Sequence, residues 1–354
     1  MPTEPFGLTA SGMSGYSPAL SGVFKPNRQF RRVVPLLPLL AGTLAAQFKP
    51  AYPSSPPSQS APARPSPAPP AQQGPEAPTT FSVRVNLVRL LVSVRNRSGV
   101  LLTNLNKQDF RVMDTGVPQE IAVFERNTSL PLSVAVLIDT SGSTQKDLHY
   151  EVDSVLRFVP TLLGSGNPED AFALFSFNWR INLESDFSRN QKRAEHALHA
   201  LHGEGGTSLY DAIYLASDAL ADREGRHVIV VVTDGGDTTS YKKYGDALAA
   251  AQRSDVVLYP VVVVPIEGDA GRNTGGEHAL ATLAASTGGR IFYPESFDRL
   301  DAAFADILQE LRTQYLLGFY PSNVREQARL FHQVKVEGRD PSLRVTARTG
   351  YYEP

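Results

Sequence analysis

The chain of 354 residues contains no cysteine. That absence excludes disulfides, thiolate metal centres, a cysteine nucleophile and lipid attachment through a cysteine. It leaves the redox compartment open, because a chain without thiols is indifferent to it. Clustered positive charge is missing as well. The formal net charge is −2; the first eighty residues carry six basic and two acidic side chains, a net +4, which leaves −6 for the rest. A mildly acidic body lacks the basic stripe that nucleic-acid binding requires. No Gly-x-Ser-x-Gly elbow, phosphate-binding Gly-Lys loop or His-Glu-x-x-His pair occurs, and Ser141 has no adjacent histidine. The sequence therefore offers no nucleophilic or zinc-hydrolase centre, and a non-enzymatic role is expected. His196, His199 and His202 recur every third residue. A step of three drifts around a helix, so they read as a solvated face rather than a zinc site.

What is present falls into five segments. Residues 1–46 read as a signal-like leader: Lys25 to Arg32 supply positive charge, and Val33 to Ala46 is an apolar stretch interrupted by Pro35 and Pro38. At about fourteen residues that stretch is short for a bilayer, which takes roughly twenty. Met13 is an alternative start. Export is expected, to the periplasm, the cell envelope or the medium, with any membrane contact made through the leader or by envelope association. Residues 47–80 are proline-rich: eleven of the 27 prolines lie between Pro50 and Pro78. Such a composition cannot bury enough apolar surface to order itself, and it predicts an extended, disordered spacer.

From Phe81 the pattern alternates with period two, the mark of half-buried strands. Residues 81–130 predict an N-terminal β segment with strands from Phe81 to Val94, from Asp109 to Asp114 and from Gln119 to Glu125. Residues 313–354 predict a C-terminal β segment with strands near Gln314–Tyr320, Phe331–Glu337, Ser342–Ala347 and Gly350–Tyr352. Each flank is too thin to stand alone, so the two are expected to pair into a small β-sandwich. The centre, residues 131–312, alternates strand and helix. That alternation implies α/β architecture, a doubly wound, mainly parallel sheet inserted between the flanks. Strands are expected at Ser133–Ile138, Ala171–Phe177, Arg180–Leu183, His227–Thr233, Val256–Val264 and Gly289–Phe292. Helices are expected at Thr144–Leu163, Arg189–Leu201, Ser208–Ala221, Tyr244–Ser254, Glu277–Thr287 and Leu300–Arg312. The short Asn178-Trp179 connection predicts an antiparallel hairpin at one edge, and Asp170 reads as the end of a loop. Gly271 to Gly276 reads as a flexible loop.

The chemistry concentrates in three places. Asp139-Thr140-Ser141-Gly142-Ser143 follows an apolar strand directly, Thr207 lies in Gly205-Gly206-Thr207-Ser208, and Asp234 lies in Thr233-Asp234-Gly235-Gly236-Asp237 after a second apolar strand. A carboxylate and two hydroxyls at alternate positions can turn to one point. They form a hard, all-oxygen set suited to Mg²⁺, with Mn²⁺ or Ca²⁺ as alternatives. In an open α/β sheet such strand ends meet at the topological switch point. Asp237 either lines the rim of that site or caps the next turn, with the cap favoured. Asp211 reads as an acid at a helix N-terminus.

These three motifs resemble the metal-ion-dependent adhesion site of the von Willebrand factor type A domain, a Rossmann-like fold. The wider arrangement resembles the VWFA-related acidobacterial family over about residues 81 to 353, through Asp109-Phe110, the stretch Tyr315 to Pro321 and the closing Ala347-Arg348-Thr349-Gly350-Tyr351-Tyr352. The resemblance implies that Ser141, Ser143 and Thr207 bind the cation directly in some states and that Asp139 and Asp234 often act through water. With few direct carboxylates the ion stays electrophilic and takes an Asp or Glu from a partner protein. The expectation is an extracytoplasmic, adhesion-type binding module. The alternatives are an envelope assembly subunit whose ion mainly clamps the fold and, least favoured, an enzyme using the ion as a Lewis acid.

Overall fold

The computed structural model describes residues 87–164, 166–263, 273–296, 299–322 and 331–353. The leader, the proline-rich stretch, the first residues of the N-terminal β segment, Val264, and Gly271 and Arg272 of the expected flexible loop lie outside them. Among the described residues no helix is long and apolar enough to cross a membrane.

The apolar runs of the centre build one five-stranded sheet. It contains β5 (Leu132–Asp139), β6 (Ala171–Phe177), β7 (Ile181–Ser188), β8 (Arg226–Thr233) and β9 (Val256–Val262), in the order β7-β6-β5-β8-β9. β5 lies parallel to both β6 and β8, β8 parallel to β9, and only β7 runs antiparallel, at the edge. From β5 the chain moves outward on one side to β6, and on the other side β8 leads to β9. The direction of winding therefore reverses between β5 and β8. That reversal opens a crevice beyond their carboxyl ends.

β5 and β8 are buried at every residue because helices cover both faces, which is why they read as unbroken apolar runs. Alternate side chains serve opposite faces. Val134, Val136 and Ile138 join the core under α1 (Leu148–Gly164), α2 (Gln191–His199) and α6 (Leu300–Thr313). Ala135 and Leu137 join the core under α3 (Leu209–Ala221), α4 (Tyr244–Arg253) and α5 (Thr274–Thr287). Each fully buried Val, Leu or Ile contributes about 1.5–3 kcal/mol.

The flanks form two antiparallel sheets, and each sheet takes strands from both ends of the chain. One has the order β12-β1-β10-β4, from β1 (Val88–Arg95), β4 (Ile121–Glu125), β10 (Tyr315–Phe319) and β12 (Arg344–Thr346); the other has the order β13-β11-β2-β3, from β2 (Phe110–Asp114), β3 (Val117–Gln119), β11 (Phe331–Gly338) and β13 (Gly350–Tyr352). Leu90, Val92, Tyr315 and Leu317 of the first share one core with Phe110, Val112, Val334 and Tyr351 of the second. The rings of Phe110 and Tyr315 lie 5.2 Å apart. The two halves thus complete each other as a sandwich.

Buried ions join this sandwich to the α/β unit. Glu310 of α6 is 0% exposed. It accepts from Arg95 of β1 at 2.5 Å, from Arg290 at 2.9 Å and from the Tyr259 hydroxyl of β9 at 3.2 Å. Asp170, also buried, accepts from the Leu132 amide at 2.8 Å and from Arg312 at 2.7 Å, so it braces the start of the central sheet.

Several local expectations are corrected. The single strand expected over Gln119–Glu125 breaks at Glu120 into β3 and β4, which belong to different sheets. Gln119 turns inward and exchanges hydrogen bonds with the Ser322 backbone, at 3.0 and 2.9 Å, so the chain crosses the sandwich at this corner. Gly289–Phe292 is not a sixth strand but one parallel bridge, Val261 to Phe292. At Gly289 the backbone lies against the Leu258 carbonyl, where an added β-carbon would sit 2.0 Å away. α1 begins at Leu148 rather than Thr144, because the Thr144 hydroxyl is turned back onto the Asp139 and Ser141 carbonyls at 2.8 and 3.1 Å. α5 begins a turn earlier than expected, since Asn273 caps it by accepting from the Gly276 amide at 2.9 Å. β7 runs on to Ser188, well past Leu183.

A candidate cation site at the sheet switch point

The crevice between β5 and β8 gathers the acidic and hydroxyl residues singled out above. The parallel register pairs Ile138 with Val232, which sets Asp139 beside Thr233, and Asp234 follows at once. The Thr233 hydroxyl donates to Asp139 Oδ2 at 2.6 Å, and the Ser141 amide donates to Asp139 Oδ1 at 2.9 Å. The loop then turns so that Ser141 Oγ and Ser143 Oγ stand 3.1 Å apart. Thr207 arrives on the loop between α2 and α3. That loop is stitched to the first by Glu204 N donating to Thr140 O at 2.8 Å and Gly142 N to Gly205 O at 3.0 Å. It is stitched to the Asp234 loop by Thr238 N and Thr239 N, which donate to Thr207 O at 2.8 and 3.1 Å. All three motifs thus share one end of the sheet.

Asp139 is 0% exposed. Burial, opposed by the Thr233 and Ser141 hydrogen bonds and reinforced by the charge of Asp234, raises its carboxyl from 3.8 to about 6. Behind it stands Glu151, 1% exposed on the inner face of α1, whose Oε2 has no hydrogen-bond partner. Burial first, and then the charges of Asp139, Asp234 and Asp147, push the Glu151 carboxyl well above its usual range. Among the described residues no lysine, arginine or histidine pairs with Asp139, Asp234 or Glu151. A buried negative group without a partner is costly, and a divalent cation would offset it. The donor set fits a hard ion: hydroxyl and carboxylate oxygens with no sulfur or imidazole. No three His, Cys, Asp or Glu side chains converge tightly enough among the described residues to hold a metal by themselves. Glu151 accordingly lies behind the site, and the hydroxyls of Ser141, Ser143 and Thr207 would complete the shell.

The remaining candidates have hydrogen-bonding roles of their own. Asp237 accepts from the Tyr210 amide at 3.3 Å and from the Ser240 hydroxyl, so it caps both the start of α3 and the turn that follows it. Asp211 accepts from the amides of Tyr241 and Lys242 at 3.0 and 2.7 Å and fastens the rim loop. His196, His199 and His202 are exposed. Thr233 and Glu151 escaped the sequence reading. Thr233 stood in plain view beside Asp234. Glu151 carried a signal too: it interrupts the apolar stripe of Leu148, Val152, Val155 and Phe158, all buried on α1.

Residues 134–236 match a family model described as von Willebrand factor type A domain. The chain carries such a domain. Several solved structures are similar to it. The vWF domain of the type V pili tip protein Mfa5 from Porphyromonas gingivalis is 16% identical, with 51% of this chain and 95% of that one covered and a TM-score of 0.41. The conserved hypothetical protein BatB from Bacteroides thetaiotaomicron is 20% identical, with 51% and 100% covered and a TM-score of 0.41. A von Willebrand factor type A protein from Catenulispora acidiphila is 12% identical, with 76% and 73% covered and a TM-score of 0.44. A search of curated proteins returns no match. In this A-type domain the matched stretch runs from the second residue after the start of β5 to the glycines after Asp234, and so encloses every candidate ligand.

The raised carboxyl gives a pH prediction. Asp139 holds its proton more tightly folded than unfolded, so without metal the fold loses stability as pH rises from about 4 to about 6. The loss is complete above that and of the order of 3 kcal/mol. Urea unfolding in EDTA at pH 4.5 and 7.5, compared with Asp139→Asn, isolates this contribution. Equal pH dependence in the two proteins would refute it. The stabilisation given by added Mg²⁺ should follow the opposite course and grow as pH passes 6.

Proposed function

We propose that this protein is an extracytoplasmic, non-enzymatic binding module that docks an acidic side chain of a partner protein through a Mg²⁺ ion. Asp139, Ser141, Ser143, Thr207 and Asp234 would hold the ion as a metal-ion-dependent adhesion site, with Mn²⁺ or Ca²⁺ as alternatives. One observation carries the reading: a buried acidic cluster, without a cationic partner among the described residues, sits behind paired hydroxyls at the switch point. Bound there, the ion supplies an electrophilic position for an outside carboxylate oxygen. Thr233 and the Ser141 amide hold Asp139 in place, and the serine hydroxyls face each other across the mouth of the loop.

Docking is favoured over a clamp by the loops themselves. The Gly142–Gly205, Glu204–Thr140 and Thr238–Thr207 hydrogen bonds tie the three loops to one another, which supports docking over a clamp. The extracytoplasmic part of the reading rests on the basic and apolar leader followed by the proline-rich stretch.

Calorimetric titration of the EDTA-treated protein tests the metal. One Mg²⁺ or Mn²⁺ per chain is expected, with binding at least 100-fold weaker in Asp139→Ala. Capture from an envelope extract, with Mg²⁺ and with EDTA, tests the docking. Prey retained equally in EDTA, or equally by Asp139→Ala, would count against it. A melting temperature that collapses on chelation would favour the clamp.

A further inference from the structure

The loops around the candidate cation site carry side chains that cation binding does not use. Trp179, the single tryptophan of the chain, is at the turn between β6 and β7 and is 46% exposed. One edge of its ring rests on Gly205, where φ is +77° and an added β-carbon would lie 2.2 Å from Trp179 Cδ1. The Arg180 guanidinium lies 3.9 Å from the indole ring centre. The indole is therefore fixed on the loop that precedes Thr207, with nearly half of its surface in water. Tyr241, on the loop after Asp234, is 96% exposed, yet its amide is tied to Asp211 at 3.0 Å. Beside it the Lys242 ammonium sits 4.2 Å from the Tyr214 ring centre.

These aromatics stand among charges of both signs. Lys146, Arg180, Lys242 and Lys243 are exposed on the same set of loops. Against them stand exposed Glu204 and the half-buried Asp147, Asp211, Asp234 and Asp237, so the side chains of these loops carry no net positive charge by themselves. A pre-positioned tryptophan loses little freedom on contact, and Trp, Tyr and Arg are the side chains that anchor interfaces most often. A Mg²⁺ bound at the centre of these loops would add two positive charges, and these draw acidic partners and repel basic ones.

We propose that this rim is the recognition surface of the cation site. Its ligand is an acidic segment of a partner protein that places an aromatic or aliphatic side chain within about three residues of the coordinating carboxylate. The inference rests on the cation-dependent docking proposed above and adds what the partner must look like. In an extended segment successive residues are about 3.3 Å apart. One carboxylate can therefore sit at the ion while a neighbouring side chain covers the indole and a second acid meets Arg180 or Lys242.

The test is selection of a displayed heptapeptide library on the full chain, in Mg²⁺ and in EDTA, followed by titration of one synthetic peptide from the Mg²⁺ pool. Trp179 is the only indole, so its fluorescence reports contact directly. The expected pool is rich in Asp or Glu flanked by Trp, Phe, Tyr or Leu. The peptide should shift the fluorescence, bind at least tenfold more weakly to Trp179→Ala and Arg180→Glu, and regain most of its affinity in Trp179→Phe. Mg²⁺ titration of Trp179→Ala by calorimetry should agree with wild type within about twofold. Acidic peptides that need Mg²⁺ but show no apolar neighbour, or that bind Trp179→Ala as well as wild type, overturn this inference and leave the docking reading standing. A pool that is the same in EDTA, or no enrichment at all, overturns both.

Discussion

Asp139→Asn is expected to make the metal-free protein more stable while abolishing its response to Mg²⁺. At pH 7.5 the wild-type carboxylate is ionised, fully buried and close to the charge of Asp234. An amide removes that charge. It can still accept from the Thr233 hydroxyl, but it loses one of the two acceptor contacts now made to Thr233 and the Ser141 amide. That loss costs about 1 kcal/mol, against a relief of the order of 3 kcal/mol. The net gain in EDTA is therefore about 1–2 kcal/mol by urea unfolding. With Mg²⁺ at 100 times its dissociation constant the wild type should gain about 2.7 kcal/mol, and the variant nothing. The ranking of the two proteins would then reverse between EDTA and saturating Mg²⁺. A variant less stable than wild type in both conditions would show that Asp139 serves the fold and not an ion.

The second large effect concerns the joint between the sandwich and the α/β unit. Glu310→Ala should lower the unfolding free energy by about 3–5 kcal/mol, the usual cost of removing one partner from a buried ion network. The side chain is wholly buried, and its two oxygens serve Arg95, Arg290 and the Tyr259 hydroxyl. Without it the two guanidinium groups face one another, and the Tyr259 hydroxyl loses its acceptor. Because Arg95 closes β1 and Arg290 follows α5, the damage should spread to both units. Chemical denaturation with near-ultraviolet and far-ultraviolet detection would read it. A loss under 1 kcal/mol would mean that the arginines find other acceptors and that the joint is held by apolar packing alone.

Much of the candidate site is legible in sequence because its parts are local. An apolar run ending in Asp139-Thr140-Ser141-Gly142-Ser143 announces a strand, a tight loop and oxygen donors together. Thr207 and Asp234 each come with their own glycines. Thr233 could be seen but not understood, since its bond to Asp139 joins residues 94 positions apart. Glu151 is harder still. One acid in an apolar helical stripe reads equally as a surface residue at the stripe's edge, and only the depth of α1 against the sheet shows it to be buried.

The sandwich divides in the same way. Period-two alternation reveals strands in both flanks, and their thinness implies that they need each other. Nothing local tells that Gln119 and Ile121 belong to different sheets, because the turn at Glu120 is set by Ser322, 203 residues beyond Gln119. The apolar stretch around Ile291 has strand composition, yet the close approach of Gly289 to β9 leaves room for a single bridge.

What the sequence determined by itself is therefore the alternation of strand and helix and the chemical character of the cation loop, which follow from spacing within short stretches, and the pairing of the two flanks, which follows from the thinness of each. Tertiary structure alone decided which charges are buried and what satisfies them. Glu310, Asp170 and Glu151 look alike as letters. They differ because two meet arginines brought from distant strands and helices while the third faces other acids, and burial makes each of those encounters weigh far more than it would in water.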